Sequence, residues 1–224
     1  MIATPPAQTA PASIDLQSLY DMVIDGGPLM IPIGLCSVVA LAYTVERLIR
    51  LSSGALGGRH FARQVQARVR EEGARGGLEY CQKHRRPLGR ILGAGLARAG
   101  ASFAEAERAA EDAGRREVKR LGSNLRPLVV VAMIAPLLGL LGTVWGMIEA
   151  FTSIATSDGI GKPEVLASGI SQALITTAAG LAVAIPTQAL YYYFRARIDK
   201  FARLAEDAQL ALGELLTTRG GEAA

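Results

Sequence analysis

Ala135-Pro136-Leu137-Leu138-Gly139-Leu140-Leu141-Gly142-Thr143-Val144-Trp145-Gly146-Met147 lies inside an apolar run from Pro127 to Phe151, and no charge interrupts that run before Glu149. At 1.5 Å rise per residue a helix of this length crosses a hydrocarbon core roughly 30 Å thick. Two more runs of similar character, Pro28 to Val45 and Ile170 to Phe194, stand on either side of it. Between the first and second runs the composition changes to Arg, Glu, Ala and Gly. Three spans joined by a charged segment predict an all-α integral membrane protein.

Charge sets the expected orientation. Asp15, Asp21 and Asp25 precede the first run and no base does; Arg47 and Arg50 follow it. From Glu46 to Arg126 there are eighteen Lys/Arg against nine Asp/Glu. Flanking Lys and Arg stay on the cytoplasmic side, so the N-terminus is expected outside and the C-terminus inside, with Arg195, Arg197, Lys200 and Arg203 marking the return. The same effect accounts for the basic excess without nucleic acid. Met1 to Ser13 lacks the bases and apolar core of a cleavable signal, so the first run is expected to act as an uncleaved anchor.

The expected organisation is a periplasmic segment over 1–27, with an amphipathic helix from Ser13 to Asp25 ended at Gly26-Gly27-Pro28. Spans follow at 28–50, 127–152 and 169–194, with a periplasmic loop over 153–168. A cytoplasmic helical domain fills 51–126, and a cytoplasmic helix and tail occupy 195–224. Within 51–126 short helices are expected at 61–72, 77–85 and 88–99. A longer one starts at Phe103, with Ser102 and Glu105 placed as a capping box, and is expected to run into the second span as one rod. The second and third spans are thus both expected to extend into the cytoplasm.

The polar and small residues of the spans carry the functional reading. Gly139, Thr143, Gly146 and Ala150 share one helical face, and Gly142 with Gly146 forms a GxxxG pair. On the third run Ala173, Thr177, Gly180 and Ala184 share a face, with Gln172 and Thr176 on the neighbouring one. Apolar packing alone does not drive helices together in lipid, so small residues that admit close approach mark contact faces. The Gln172 amide is costly against acyl chains and is expected to face protein or water. Repeated around a ring, two such faces would wall a narrow, weakly polar lumen. Tyr191, Tyr192 and Tyr193 fall where an interfacial aromatic belt belongs.

Other chemistry finds little purchase. No phosphate loop, nucleophile with a base, or metal-ligand cluster is present, and Cys36, Cys81, His60 and His84 stand without ligand partners at metal spacing. No cofactor, metal or catalytic residue is therefore expected. A proton carrier needs a titrating group, and the centres of the three runs offer none.

The paired stretches Ala135-Pro136 to Gly146 and Gly169-Ile170-Ser171-Gln172-Ala173-Leu174-Ile175-Thr176-Thr177-Ala178-Ala179-Gly180 resemble the MotA/TolQ/ExbB proton-channel family, on its ExbB/TolQ side. That resemblance implies a homopentamer around a central pore in the bacterial inner membrane. The pore would enclose the helix of an ExbD/TolR-like single-span partner that carries a transmembrane Asp, with a TonB- or TolA-like transducer beyond it. By motif position Thr143 and Thr177 match the family's pore-lining threonines, with Thr176 and Gln172 beside them; Gln172 stands where many relatives have Glu. Gly139, Gly142, Gly146, Ala150, Ala173, Gly180 and Ala184 would form the smooth face. A flagellar-stator role is disfavoured because those relatives have a fourth span. A non-conducting scaffold is the competing class.

Overall fold

The computed structural model describes residues 24–156 and 163–222. The expected amphipathic helix at 13–25 lies almost wholly outside the described residues, as does the middle of the expected outer loop.

Among the described residues the secondary structure is helical throughout: α1 (Met30–Arg50), α2 (Ser53–Leu56), α3 (Arg59–His84), α4 (Pro87–Leu96), α5 (Phe103–Ser123), α6 (Arg126–Thr156) and α7 (Pro163–Glu222). Three helical stretches are long and apolar enough to cross a membrane: Met30–Arg50, one ending at Ala155 and one beginning at Glu164. Both α6 and α7 overrun the span ends expected from composition. α6 continues to Thr156, and α7 starts at Pro163 and stays helical through Glu222, past the expected fraying at Gly220.

The helices between the first and second spans depart from expectation in two places. The two helices expected over 61–85 are joined in α3 across a kink at Gly73, whose φ of 76° suits glycine. The rod from Phe103 into the second span forms one helical stretch, Phe103–Ala155, interrupted by a single turn. α5 ends at Ser123, Asn124 and Leu125 form a turn in which Leu125 N–H donates to Gly122 C=O at 3.0 Å, and α6 begins at Arg126. Pro127 has no N–H to give the Ser123 carbonyl, but Pro136 and Pro186 lie inside α6 and α7 without ending them, so the missing donor accompanies this turn and does not by itself impose it. At the other end of α5, Ser102 Oγ accepts from Glu105 N–H at 3.2 Å, as a cap should.

The chain divides into two compact units, and α1, α6 and α7 each contribute to both. One comprises the residues up to Ser37 with Met133–Ala184; the other comprises Val38–Ala132 with Ile185–Ala224. The second unit has a core of large side chains: Leu51, Phe61, Val65, Leu88, Ile91, Leu92, Phe194 and Ile198 are all almost completely buried. Helix α4 approaches α3 and α5 through glycines. A β-carbon on Gly89 would come within 3.2 Å of the Cys81 carbonyl oxygen, and one on Gly95 within 3.2 Å of Ala110 Cβ. Arg90 Nε and Nη2 each donate to the Glu117 carboxylate at 2.7 Å, closing α4 on α5 with a bidentate pair. Gln209 of α7 donates to the Glu107 carbonyl at 3.2 Å.

Candidate functional site: the seam between the second and third spans

In the first unit α6 and α7 meet through residues without bulk. A β-carbon on Gly139 would lie 3.0 Å from the Thr176 carbonyl oxygen, and one on Gly146 would lie 2.9 Å from that of Gly169. A β-carbon on Gly180 would lie 2.6 Å from the Ala135 carbonyl oxygen, and one on Gly169 2.6 Å from Ala150 Cβ. A β-carbon on Gly142 would overlap the Thr176 side chain. Ala135, Ala150, Ala173 and Ala184 are buried. This close approach substitutes van der Waals contact for the hydrophobic drive that lipid does not supply.

Every expected small residue thus takes part in the packing, and most of their surface is spent within the chain. Ala173, Thr176, Gly180 and Ala184 form the buried line of α7. Thr176 is only 1 % exposed and donates to its own Ala173 carbonyl at 2.9 Å. The grouping expected from sequence had Thr177 on that line and Thr176 beside it. Thr177 instead sits at the edge, half-buried, where its hydroxyl crosses to Gly139 and donates to that carbonyl at 3.1 Å. Thr143 stands on the open flank of α6, donating to Leu140 C=O at 2.6 Å, in a concavity with Val144, Met147, Ile148, Phe151 and Thr152.

Gln172 is partly buried, and the structure places it against the break before α1. Gly27 has φ of 69°, and a β-carbon there would overlap the Gln172 amide nitrogen. The amide therefore has protein contact, as its polarity requires. Sequence reading marked Gly26-Gly27-Pro28 only as a helix break; its pairing with Gln172 needed the tertiary structure. Two contributors to the seam, Ala135 and Gly169, also lay outside the expected set. Their signal was the continuation of the small-residue spacing by one turn, from 139 back to 135 and from 173 back to 169.

The other flanks are apolar and open. Leu137, Leu140, Leu141, Val144, Trp145 and Ile148 on α6 are exposed, as are Leu174 and Ile185 on α7 and Leu35, Val38 and Leu41 on α1. Exposed apolar surface on this scale belongs against lipid or another protein. In the second unit, Tyr192 and Tyr193 are exposed, and Arg197 lies 5.8 Å from the Tyr193 ring centroid with its Nη1 3.2 Å from the phenol oxygen.

A family profile for proton channels of the MotA/TolQ/ExbB type matches residues 83–207. The chain is 32% identical over 205 residues to a putative biopolymer transport protein, ExbB-like 1, of Synechocystis, covering 88% of this chain and 80% of that one. The chain belongs to the MotA/TolQ/ExbB proton channel family. It is also 50% identical over 70 residues to the biopolymer transport protein exbB1 of Vibrio cholerae, 31% of each chain. With the Tol-Pal system protein TolQ of Pseudomonas aeruginosa it shares 39% identity over 101 residues, 43% of each. Those two matches span less than half the length of the relatives concerned. Membership on the ExbB/TolQ side, with three apolar helices, makes this an inner-membrane protein of an ExbB/TolQ-type system, and the family is one of channels and not of enzymes.

Proposed function

We propose that this chain is the channel and motor subunit of an inner-membrane complex that converts proton-motive force into mechanical work on an outer-membrane transport or envelope system. It would act as a homopentamer with the N-terminus outside and the C-terminus inside. Its pore would enclose an ExbD/TolR-like single-span partner bearing a transmembrane Asp, and a TonB- or TolA-like transducer would carry the force onward. The relatives named for biopolymer transport and for the Tol-Pal system support this class of role.

The observation that carries the mechanism is how the threonine hydroxyls are used. Thr143, Thr176 and Thr177 each donate their proton to a carbonyl within the chain. A hydroxyl has one proton and two lone pairs, so these threonines offer oxygen acceptors to anything beside them. Acceptors favour a protonated carboxyl, which can donate, over an ionised one, which cannot. Thr143 and Thr177 therefore suit a partner acid that loads a proton outside, crosses the low-dielectric region neutral, and releases it inside. Glu149 lies near the outer end of the second run and the centres of the three runs hold no charged side chain, so the mid-membrane titrating group is assigned to the partner. Each charge crossing 100 mV releases roughly 2.3 kcal/mol, so a few protons suffice for a mechanical step.

The test is proton flux into liposomes carrying the complex. Flux is expected only when a single-span, Asp-bearing partner is co-reconstituted. Thr143→Val should lower it by about tenfold, one hydrogen bond's worth, while Thr143→Ser retains it and both variants assemble. A partner-independent signal, or full flux from an assembled Thr143→Val complex, defeats the hydroxyl's role. Assembly with no flux at all favours a passive scaffold.

A further inference from the structure

The second unit holds a groove of about 600 Å³ between α5 and α7, and its charge is sorted along its length. Lys119, Ser123 and Arg126 line it on one side at near-helical spacing, and Arg195 lines it on the other. Arg195 lies across Gly122, with Nη1 3.9 Å from where a β-carbon on that glycine would sit. Glu111, Glu206 and Gln209 line the opposite end. The basic end is fixed relative to the membrane by sequence alone: Arg126 immediately precedes the second apolar run and Arg195 immediately follows the third. Arg126 and Arg195 therefore stand at headgroup depth, Lys119 stands about two turns further along α5, and the two acids stand about four turns along α5 and three along α7 from the membrane-side end.

The cations at that end are little engaged. Arg115, midway along, is held by Glu111 at 2.9 Å. Arg195 has a loose pair with Asp199 at 3.5 Å. Lys119 and Arg126 make no ion pair among the described residues. Surface charges of one sign repel and need a counter-charge. A second copy of this chain is a poor source, because its segment from Glu46 to Arg126 is itself strongly basic.

We propose that the membrane-side end of this groove binds the phosphodiester headgroup of an anionic phospholipid. Arg126 and Arg195 grip the phosphate oxygens by charge-assisted hydrogen bonds, Lys119 adds a point charge, and the Ser123 hydroxyl donates to a remaining headgroup oxygen. The quaternary ammonium of a zwitterionic headgroup would stand among these same cations and be repelled by them, so such a headgroup gains much less. This requires only that the chain spans a membrane and is independent of the proton mechanism.

The experiment uses the full-length protein in detergent, titrated with short-chain phosphatidylglycerol, with phosphatidylcholine of the same chain length, and with inorganic phosphate. Thermal midpoint and lipid retention by native mass spectrometry are read together. Phosphatidylglycerol is expected to raise the midpoint and to be retained; phosphatidylcholine and phosphate are not. The double variant Lys119→Gln/Arg126→Gln should bind phosphatidylglycerol at least about tenfold more weakly. Arg108→Gln/Arg116→Gln, which removes the same charge from another groove beside α5, should bind within about twofold of the parent. The comparison of headgroups on the unaltered protein holds even where a variant fails to fold. Equal response to both lipids, equal loss in both double variants, or protection by phosphate that phosphatidylglycerol does not match overturns the assignment.

Discussion

The two compact units of this chain are built on opposite rules of packing. In the unit of Val38–Ala132 with Ile185–Ala224 the interior is made of volume: Phe61, Phe194, Ile91 and Leu88 fill it, and burial of apolar area holds it together. In the unit containing Met133–Ala184 the contact is made of absence. Gly139, Gly146, Gly169 and Gly180 bring backbone against backbone, while Leu137, Trp145 and Leu174 point away. The difference follows from the solvent. Water rewards the removal of a phenyl ring, whereas lipid is indifferent to a leucine and leaves only close contact and hydrogen bonds to hold helices together. Thr177 donating to the Gly139 carbonyl is possible only because that glycine lets the helices approach so closely.

The comparison breaks most sharply where volume is taken from the first kind of interior. Phe61 is 1 % exposed and touches Tyr80, His84 and Arg86 around its ring. Phe61→Ala should cost about 3–5 kcal/mol, measured by denaturant unfolding, and should lower hydrogen-exchange protection in α3 and α4 while leaving the α6–α7 seam protected. The converse change adds volume to the second kind. In Gly180→Val the new β-carbon meets the Ala135 carbonyl oxygen at 2.6 Å and Gly139 Cα at 3.1 Å, and neither is a side chain that can swing aside. About 1–3 kcal/mol is expected from such overpacking, with protection lost along the seam and kept around Phe61. If either variant loosened both units equally, the units would share one cooperative core and the contrast drawn here would be wrong.

Much of this was readable in the chain itself. Three apolar runs sufficed for the spans and the helical class, and the paired motifs over 135–146 and 169–180 sufficed, by resemblance, for the family. The rotation of the seam was not readable. Successive helical residues advance by about 100°, so counted from Ala173, Thr176 falls about 60° to one side and Thr177 about 40° to the other. Sequence favoured Thr177, and the partner helix selected Thr176. The turn after Ser123 was hidden for a different reason: helix formers run almost unbroken to Gly122, and a proline such as Pro127 need not interrupt a helix, as Pro136 and Pro186 show. Nor could local patterns bring Gly27 to Gln172, or Glu117 to Arg90, because those pairs are separated by most of a helix or more.

The smallest effect expected is one of pH. Cys81 is 3 % exposed in the core of the second unit, against α4 at Gly89 and Gly93, and burial raises its thiol from 9.0 to about 12. Desolvation disfavours the thiolate, so the folded state keeps its proton where the unfolded state has released one. Stability is then unaffected below about pH 9 and declines as pH rises from there towards 12, by at most roughly 1.4 kcal/mol per pH unit. Cys81→Ala removes the group and should flatten that slope between pH 9 and 10.5 relative to the parent, whatever its own cost at pH 7. Thiol alkylation gives a second reading. Cys81 should react only through local opening, so the loosened Phe61→Ala variant should speed its modification while Gly180→Val does not. Equal acceleration by both would mean that opening at the seam reaches the core, which two separately packed units do not allow.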